Sequence, residues 1–280
     1  MPVDGKNDLS FRSLDGLRLA GTLVTPESDA DQAVVLVHGG GVTRDEGGFF
    51  TRLAAGLAES GVASLRFDLR GHGESEGRME ELTLAAVLND IRVALAQLRD
   101  ATGAAAVSLL GASFGGGICA YYAAKRRAEV TRLVLLNPQL DYKKRTIDKT
   151  LFWADDRLTP EAAAQLSEQG YLAFSPQLRH GRAIFNEVFW FDLNEALGKI
   201  RAPTLLVHGT KDTLVPIEST LAALPRFQAE HRLVQIEGAQ HGFAVHEDPQ
   251  YLNPQSQAWQ ASVIRTVTDW LTADAGSAAG

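Results

Sequence analysis

At 280 residues and 45% hydrophobic composition, the chain can form one large α/β domain or two small ones around a substantial core. A formal net charge of −7 argues against a nucleic-acid partner, which would call for basic patches. Cys119 is the single cysteine, which excludes an intramolecular disulfide and fits a reducing compartment. The N-terminal Met-Pro-Val-Asp-Gly-Lys-Asn-Asp lacks the apolar core of a signal peptide, and no apolar run reaches membrane-spanning length. A soluble, cytoplasmic protein is expected, as a monomer or homodimer.

Taken in order, Phe11-Arg12-Ser13 and Leu17 to Leu23 flank Gly16 and predict a hairpin at a sheet edge. Ala33 to Val37 is a continuous apolar run, as in a strand buried on both faces of a parallel sheet, and it runs into His38-Gly39-Gly40-Gly41. A helix with Phe50, Leu53, Ala54 and Leu57 on one face stops at Gly61. Ala63 to Phe67 predicts the next strand, and Leu84, Val87, Leu88, Ile91, Leu95 and Leu98 form the stripe of a helix over about 83–99. After a strand from Val107 and a further helix comes the strand Arg132 to Leu136. The alternation up to this point indicates parallel βαβ units.

The rhythm breaks between Asp141 and Lys199. Thr159 (N-cap), Pro160 (N1) and Gly170 (terminator) mark one helix there, and aromatics are dense. Following a strand of the sheet, this segment is expected to form a lid, with Trp153, Phe185 and Trp190 as candidate substrate-binding residues. The α/β pattern resumes with strands Pro203 to Val207 and Arg232 to Ile236 and closes with a helix over about 255–271. Ala273 to Gly280 reads as a frayed tail.

The chemistry centres on Val107 to Gly117. Gly111-Ala112-Ser113-Phe114-Gly115 is a G-x-S-x-G at a strand-to-helix junction, a nucleophile elbow that lifts the Ser113 hydroxyl above the sheet edge. Small neighbours are required because a Cβ there would meet the adjacent strand or helix. Taken as a glycine-rich turn alone, the same residues could hold an ordinary helix-capping serine. A serine nucleophile needs a base, and the base needs an orienting carboxylate, both from loops at the carboxyl ends of strands. Asp212 and His241 each follow a strand downstream of the elbow. Asp68 also follows a strand and is the rival acid. His72, His180, His208, His231 and His246 fit the base position less well and read as loop or surface histidines. An oxyanion needs about two aligned donors. The Phe114 N–H is one candidate, and Gly40, or else Gly41, supplies the other. The histidines lack paired ligand spacing, so no metal is expected, and no glycine pattern supports a dinucleotide site. No cofactor is expected.

Along nearly its whole length the chain resembles the α/β-hydrolase superfamily. Arg66 to Ser75 (R-F-D-L-R-G-H-G-E-S) together with Gly111 to Gly115 is similar to small capped esterases of the cinnamoyl/feruloyl esterase and serine-aminopeptidase-like branch. The resemblance implies an α/β fold with a mostly parallel eight-stranded sheet, helices on both faces and a helical cap inserted after the sixth strand. The core would span 1–140 and 200–280, with 141–199 as the cap and 273–280 as a flexible tail. It also implies Ser113 as nucleophile, Asp212 as acid, His241 as base and the Gly40 amide in the oxyanion hole. Many esterases of that branch carry a bulkier residue where Gly40 stands. His38-Gly39-Gly40-Gly41 instead resembles the hormone-sensitive-lipase group, whose elbow is usually acidic at the position of Ala112. The expected activity is hydrolysis of a small-molecule carboxylic ester with an apolar or aromatic group, through an acyl-enzyme. Thioester, lactone or carbon–carbon cleavage and acyl transfer on the same triad stay open, as does a non-catalytic ligand-binding role.

Overall fold

In β3 (Gln32–Val37) the side chains alternate between two separate cores. Val35 and Val37 enter one, and Val34 and Leu36 the other, with all four fully buried. Each such burial stabilises the fold by about 1.5–3 kcal/mol. The computed structural model describes residues 6–273, so nearly all of the predicted tail lies outside the described residues.

The remaining strands of the main sheet are β1 (Lys6–Arg12), β2 (Arg18–Val24), β4 (Val62–Phe67), β5 (Ala106–Ala112), β6 (Leu133–Leu136), β11 (Thr204–Gly209) and β12 (His231–Ile236). Their order across the sheet is β1-β2-β4-β3-β5-β6-β11-β12. The β1–β2 and β2–β4 pairs are antiparallel and the other pairs are parallel. The loops leaving β3, β4, β5, β6, β11 and β12 therefore open at one edge of the sheet.

Helices cover both faces. The helices α1 (Phe49–Glu59) and α8 (Pro254–Thr272) pack on the face carrying Val34 and Leu36, through Leu53, Leu57, Val263 and Val267. On the other face lie α2 (Leu84–Thr102) and α3 (Ser113–Lys125), through Val87, Ile91, Ile118 and Cys119. The Thr83 side chain caps α2 by accepting from the Ala86 N–H at 3.0 Å, and Gly103 ends it in the left-handed conformation (φ 69°). That cap carries the helix three residues past the predicted end. A short α7 (Ile217–Ala223) joins β11 to β12.

Between β6 and β11 the chain makes a separate layer. It opens with a π-helical turn over Lys144–Asp148. Next come β7 (Trp153–Ala154) and β8 (Arg157–Leu158), then α4 (Pro160–Gln169), and then β9 (Leu172–Ser175) paired antiparallel with β10 (Leu178–His180). The layer closes with α5 (Arg182–Glu187) and α6 (Leu193–Leu197). Thr159, Pro160 and Gly170 bound α4 as the sequence predicts. The two hairpins add strands to a segment that the sequence marks only as helical. Asp155 and Asp156, at φ 48° and 60°, form the tight turn that closes β7 on β8, where a pair of left-handed residues matches strand twist. Among the described residues, no helix is long and apolar enough to cross a membrane.

Candidate active site

Strand β5 passes straight into α3, with no intervening loop, at Ser113. The turn forces this residue to φ 49°, a left-handed value that costs a non-glycine residue about 1–2 kcal/mol. Its carbonyl accepts the Gln139 N–H at 2.9 Å, which holds it in that conformation. Gly115 shows why the flanks must be small, since a Cβ there would lie 2.5 Å from the His38 carbonyl oxygen. The Tyr142 hydroxyl donates to the Phe114 carbonyl and braces the first turn of α3.

Asp212 leaves the end of β11 and His241 the end of β12. The His241 Nδ1–H donates to Asp212 Oδ2 at 2.6 Å. Asp212 is buried, and its Oδ1 accepts the N–H groups of Leu214 and Val215 at 2.9 and 2.8 Å. Burial raises its pKa, but the hydrogen bonds of His208 and His241 and the backbone donors outweigh that and hold it well below the usual carboxylate range. His208 lies under this loop, with Nε2 2.8 Å from the Val215 carbonyl and 3.5 Å from Asp212 Oδ2. The rival acid, Asp68, is engaged elsewhere. It accepts from Arg44 Nη1 at 2.5 Å and from the backbone N–H groups of Arg44 and Glu74. It ties two loops together on the side of the sheet away from His241.

The loop after β3 crosses in front of Ser113. A Cβ on Gly39 would lie 3.3 Å from the Ser113 Cβ, and one on Gly40 would lie 3.5 Å from the Phe114 Cβ. The Gly39 N–H donates to Glu46 Oε1, and the Gly41 N–H donates to His72 Nε2 at 3.3 Å. Among the described residues the Gly40 N–H has no acceptor, unlike the N–H groups of Gly39 and Gly41. His38 anchors the loop. Its Nδ1–H donates to the Gly39 carbonyl at 2.7 Å while Nε2 accepts the Leu69 N–H at 2.9 Å, so the ring is a neutral tautomer. Burial, with His72 adding to it, lowers its pKa to about 3. Burial also pushes the Glu46 carboxyl up, against the Gly39 N–H and His241, which favour its charged form.

A cavity of about 640 Å³ opens over Ser113, floored by Gly40, Gly41 and Phe114 and walled by the layer between β6 and β11. The β9–β10 hairpin sits directly on the glycine loop. Gly41, at φ 76°, would place a Cβ 2.9 Å from the Gln177 carbonyl oxygen, so the run of glycines lets this hairpin approach.

None of the three predicted substrate-binding aromatics lines this cavity. Phe185 is buried in the layer's own core, and Trp153 packs edge-on against Phe185 and Phe189. Trp190 is 86% exposed beside Tyr121 and Phe191, on another surface. The aromatics at the cavity are Phe114 and Phe174. Among the described residues no three His, Cys, Asp or Glu side chains are grouped to hold a metal ion.

A model of the alpha/beta hydrolase fold matches residues 32–194, more than half of the chain. The chain belongs to the α/β-hydrolase fold family. It is an enzyme of that class. Among its curated relatives is the monoacylglycerol lipase of Mycolicibacterium smegmatis, 24% identical over 95% of this chain and 97% of the relative. Another is the AB hydrolase superfamily protein YisY of Bacillus subtilis, 29% identical over 70% of this chain and 81% of the relative. Among solved structures, the ferulic-acid-bound Est1E of Butyrivibrio proteoclasticus superposes with a TM-score of 0.74 at 22% identity, over 92% of this chain and 99% of that one.

Within this α/β-hydrolase, Glu46, Arg145 and Phe174 reach the site although sequence reasoning does not single them out. Glu46 lies in a polar loop with nothing in its spacing to mark it. His208, which the sequence places at a strand end too early in the chain to be the base, lies beside Asp212 instead.

Proposed function

We propose that the protein is a serine esterase that works through an acyl-enzyme, with Ser113 as nucleophile, His241 as base and Asp212 as the acid that orients it. The observation that carries this reading is the 2.6 Å Asp212–His241 hydrogen bond at the ends of two adjacent strands, on the sheet edge where Ser113 stands strained. Asp212 fixes the proton on His241 Nδ1, which leaves Nε2 free to take the Ser113 proton. The hydroxyl oxygen then attacks the ester carbonyl, and the Gly40 and Phe114 N–H groups receive the developing oxyanion. His241 returns its proton to the departing alkoxide, and water repeats the sequence on the acyl-enzyme. Residues 141–199 act as a cap whose Phe174 and Leu178 shield the acyl group from bulk water. The substrate class is a small carboxylic ester with an apolar portion. The curated monoacylglycerol lipase relative supports an ester substrate.

The test is Ser113→Ala with a p-nitrophenyl ester, alongside fluorophosphonate labelling of the unaltered protein. Hydrolysis and labelling are both expected to vanish in the variant while circular dichroism stays unchanged. Full activity in a folded Ser113→Ala protein would remove the serine mechanism. An unlabelled, inactive wild type would favour a ligand-binding role.

A further inference from the structure

The net charge of the chain is −7, yet the cavity over Ser113 is lined by two cations, Arg145 and Lys149, and by no carboxylate. The rest of the lining is neutral and includes Gln139, Thr146, Thr150, Phe174 and Leu178. The two cations stand on the π-helical turn and just past it, a distortion of helical geometry that recurs at functional sites. A basic stretch of this kind is ordinarily neutralised by neighbouring acids. Lys143 follows that pattern, pairing with Asp148 and Asp156 at 2.8 Å each. Among the described residues, Arg145 and Lys149 make no ion pair.

Arg145 is held in place. Its Nη1 donates to the Leu214 carbonyl at 2.6 Å, two residues beyond Asp212, and its remaining N–H donors are left for a ligand. Asp212 is the acid whose charge reaches it, and that carboxylate is already saturated by His241 and the backbone. Arg145 and Lys149 also border a second recess of about 250 Å³ beside the first, where Asp141 and Glu218 supply acids away from Ser113. A guanidinium fixed at one end with an unpaired ammonium at the same cavity matches a carboxylate, which accepts a bidentate pair and a further charge-assisted hydrogen bond.

We propose that the ester cleaved at Ser113 carries a free carboxylate at its non-reacting end, received by Arg145 and Lys149. A half-ester of a dicarboxylic acid is the simplest member of this class. The Phe174 and Leu178 wall would take the methylene chain, with the anion at the far end. This inference rests on the serine-esterase reading, and its experiment is arranged so that the two can fail separately.

Hydrolysis is followed by ethanol release from monoethyl esters of succinic to suberic acid and from ethyl esters of the matching monocarboxylic acids. At the best chain length, kcat/KM for the half-ester is expected to exceed that of its uncharged counterpart about tenfold or more, since hydrogen bonds to charged groups are the strong ones. In Arg145→Gln/Lys149→Gln the ratio falls toward one, and Arg145→Lys retains part of it. A wild type that prefers the uncharged ester at every length overturns the proposal. So does a double variant that loses both substrates equally, because Arg145 would then only be bracing the Leu214 loop. Calorimetric titration of monoethyl adipate into the Ser113→Ala protein needs no turnover. Binding that disappears in the double variant supports the anion site even if no ester is hydrolysed. No binding, with ethyl esters turned over by the wild type, overturns the anion site alone.

Discussion

His38 and His180 are buried as neutral rings, and acid should therefore unfold this protein earlier than its carboxylates would require. His38 is held by two hydrogen bonds with its pKa lowered to about 3, by burial first and His72 second. His180, on β10, sits among Phe114, Phe174 and Phe185, and burial lowers its pKa to about 4. An unfolded histidine titrates at about 6.5. Below that value the unfolded chain takes up protons that the folded chain refuses, so stability falls as pH falls. From pH 7 to pH 5 each ring costs about 2 kcal/mol, together about 4 kcal/mol, out of a total of about 5–15 for a typical domain. His72, also lowered by burial, adds to the loss, while Glu46 and Asp90, both raised by burial, act in the opposite direction. A comparison with His180→Phe isolates one ring, because these other groups are common to both proteins. Phenylalanine suits the aromatic neighbours of His180 and does not titrate. Urea denaturation followed by tryptophan fluorescence at pH 7, 6 and 5 should show the variant losing about 2 kcal/mol less than the wild type over that range. Identical pH slopes for the two proteins would refute the reasoning, since His180 would then take up its proton equally in both states.

Four further substitutions have expected outcomes. Asp212→Asn should lower kcat for a p-nitrophenyl ester by orders of magnitude, because it removes the acceptor for His241 Nδ1–H, with the fold retained. Asp68→Asn should change kcat far less but lower Tm, since it removes one of the two carboxylates that pair with Arg44; the reverse ranking in paired kinetic and melting measurements would show that the acids had been exchanged. Phe174→Ala should reduce kcat/KM for a bulky ester much more than for an acetyl ester, because Phe174 lines the cavity, whereas Trp190→Ala should leave that ratio unchanged in the same chain-length panel.

The sheet and its connections were legible because the inner strands are continuous apolar runs and the helices carry one-sided stripes. Asp212 and His241 could be read because each follows its strand with only a short turn between, which fixes them at the sheet edge. The layer from 141 to 199 was less legible. Its aromatics carry no usable period, because a π-turn at 144–148 and a bulge between Leu178 and Arg179 break the helical and strand repeats. Trp190 and Phe174 look alike in sequence, and only packing separates the exposed ring from the one at the cavity. Lys143 and Arg145 stand two residues apart, yet the fold pairs the first with acids and places the second at the cavity over Ser113. Glu46 acts through the Gly39 amide, a contact that no side-chain pattern records.

The left-handed backbone of Ser113 has an evolutionary consequence. Glycine would occupy φ 49° without strain, so at this one position the residue best for folding is not the residue that the proposed mechanism needs. Selection for thermal robustness alone would drift toward Ser113→Gly and silence the protein, and a stabilising screen run without an activity counter-screen would be expected to find that change among its winners.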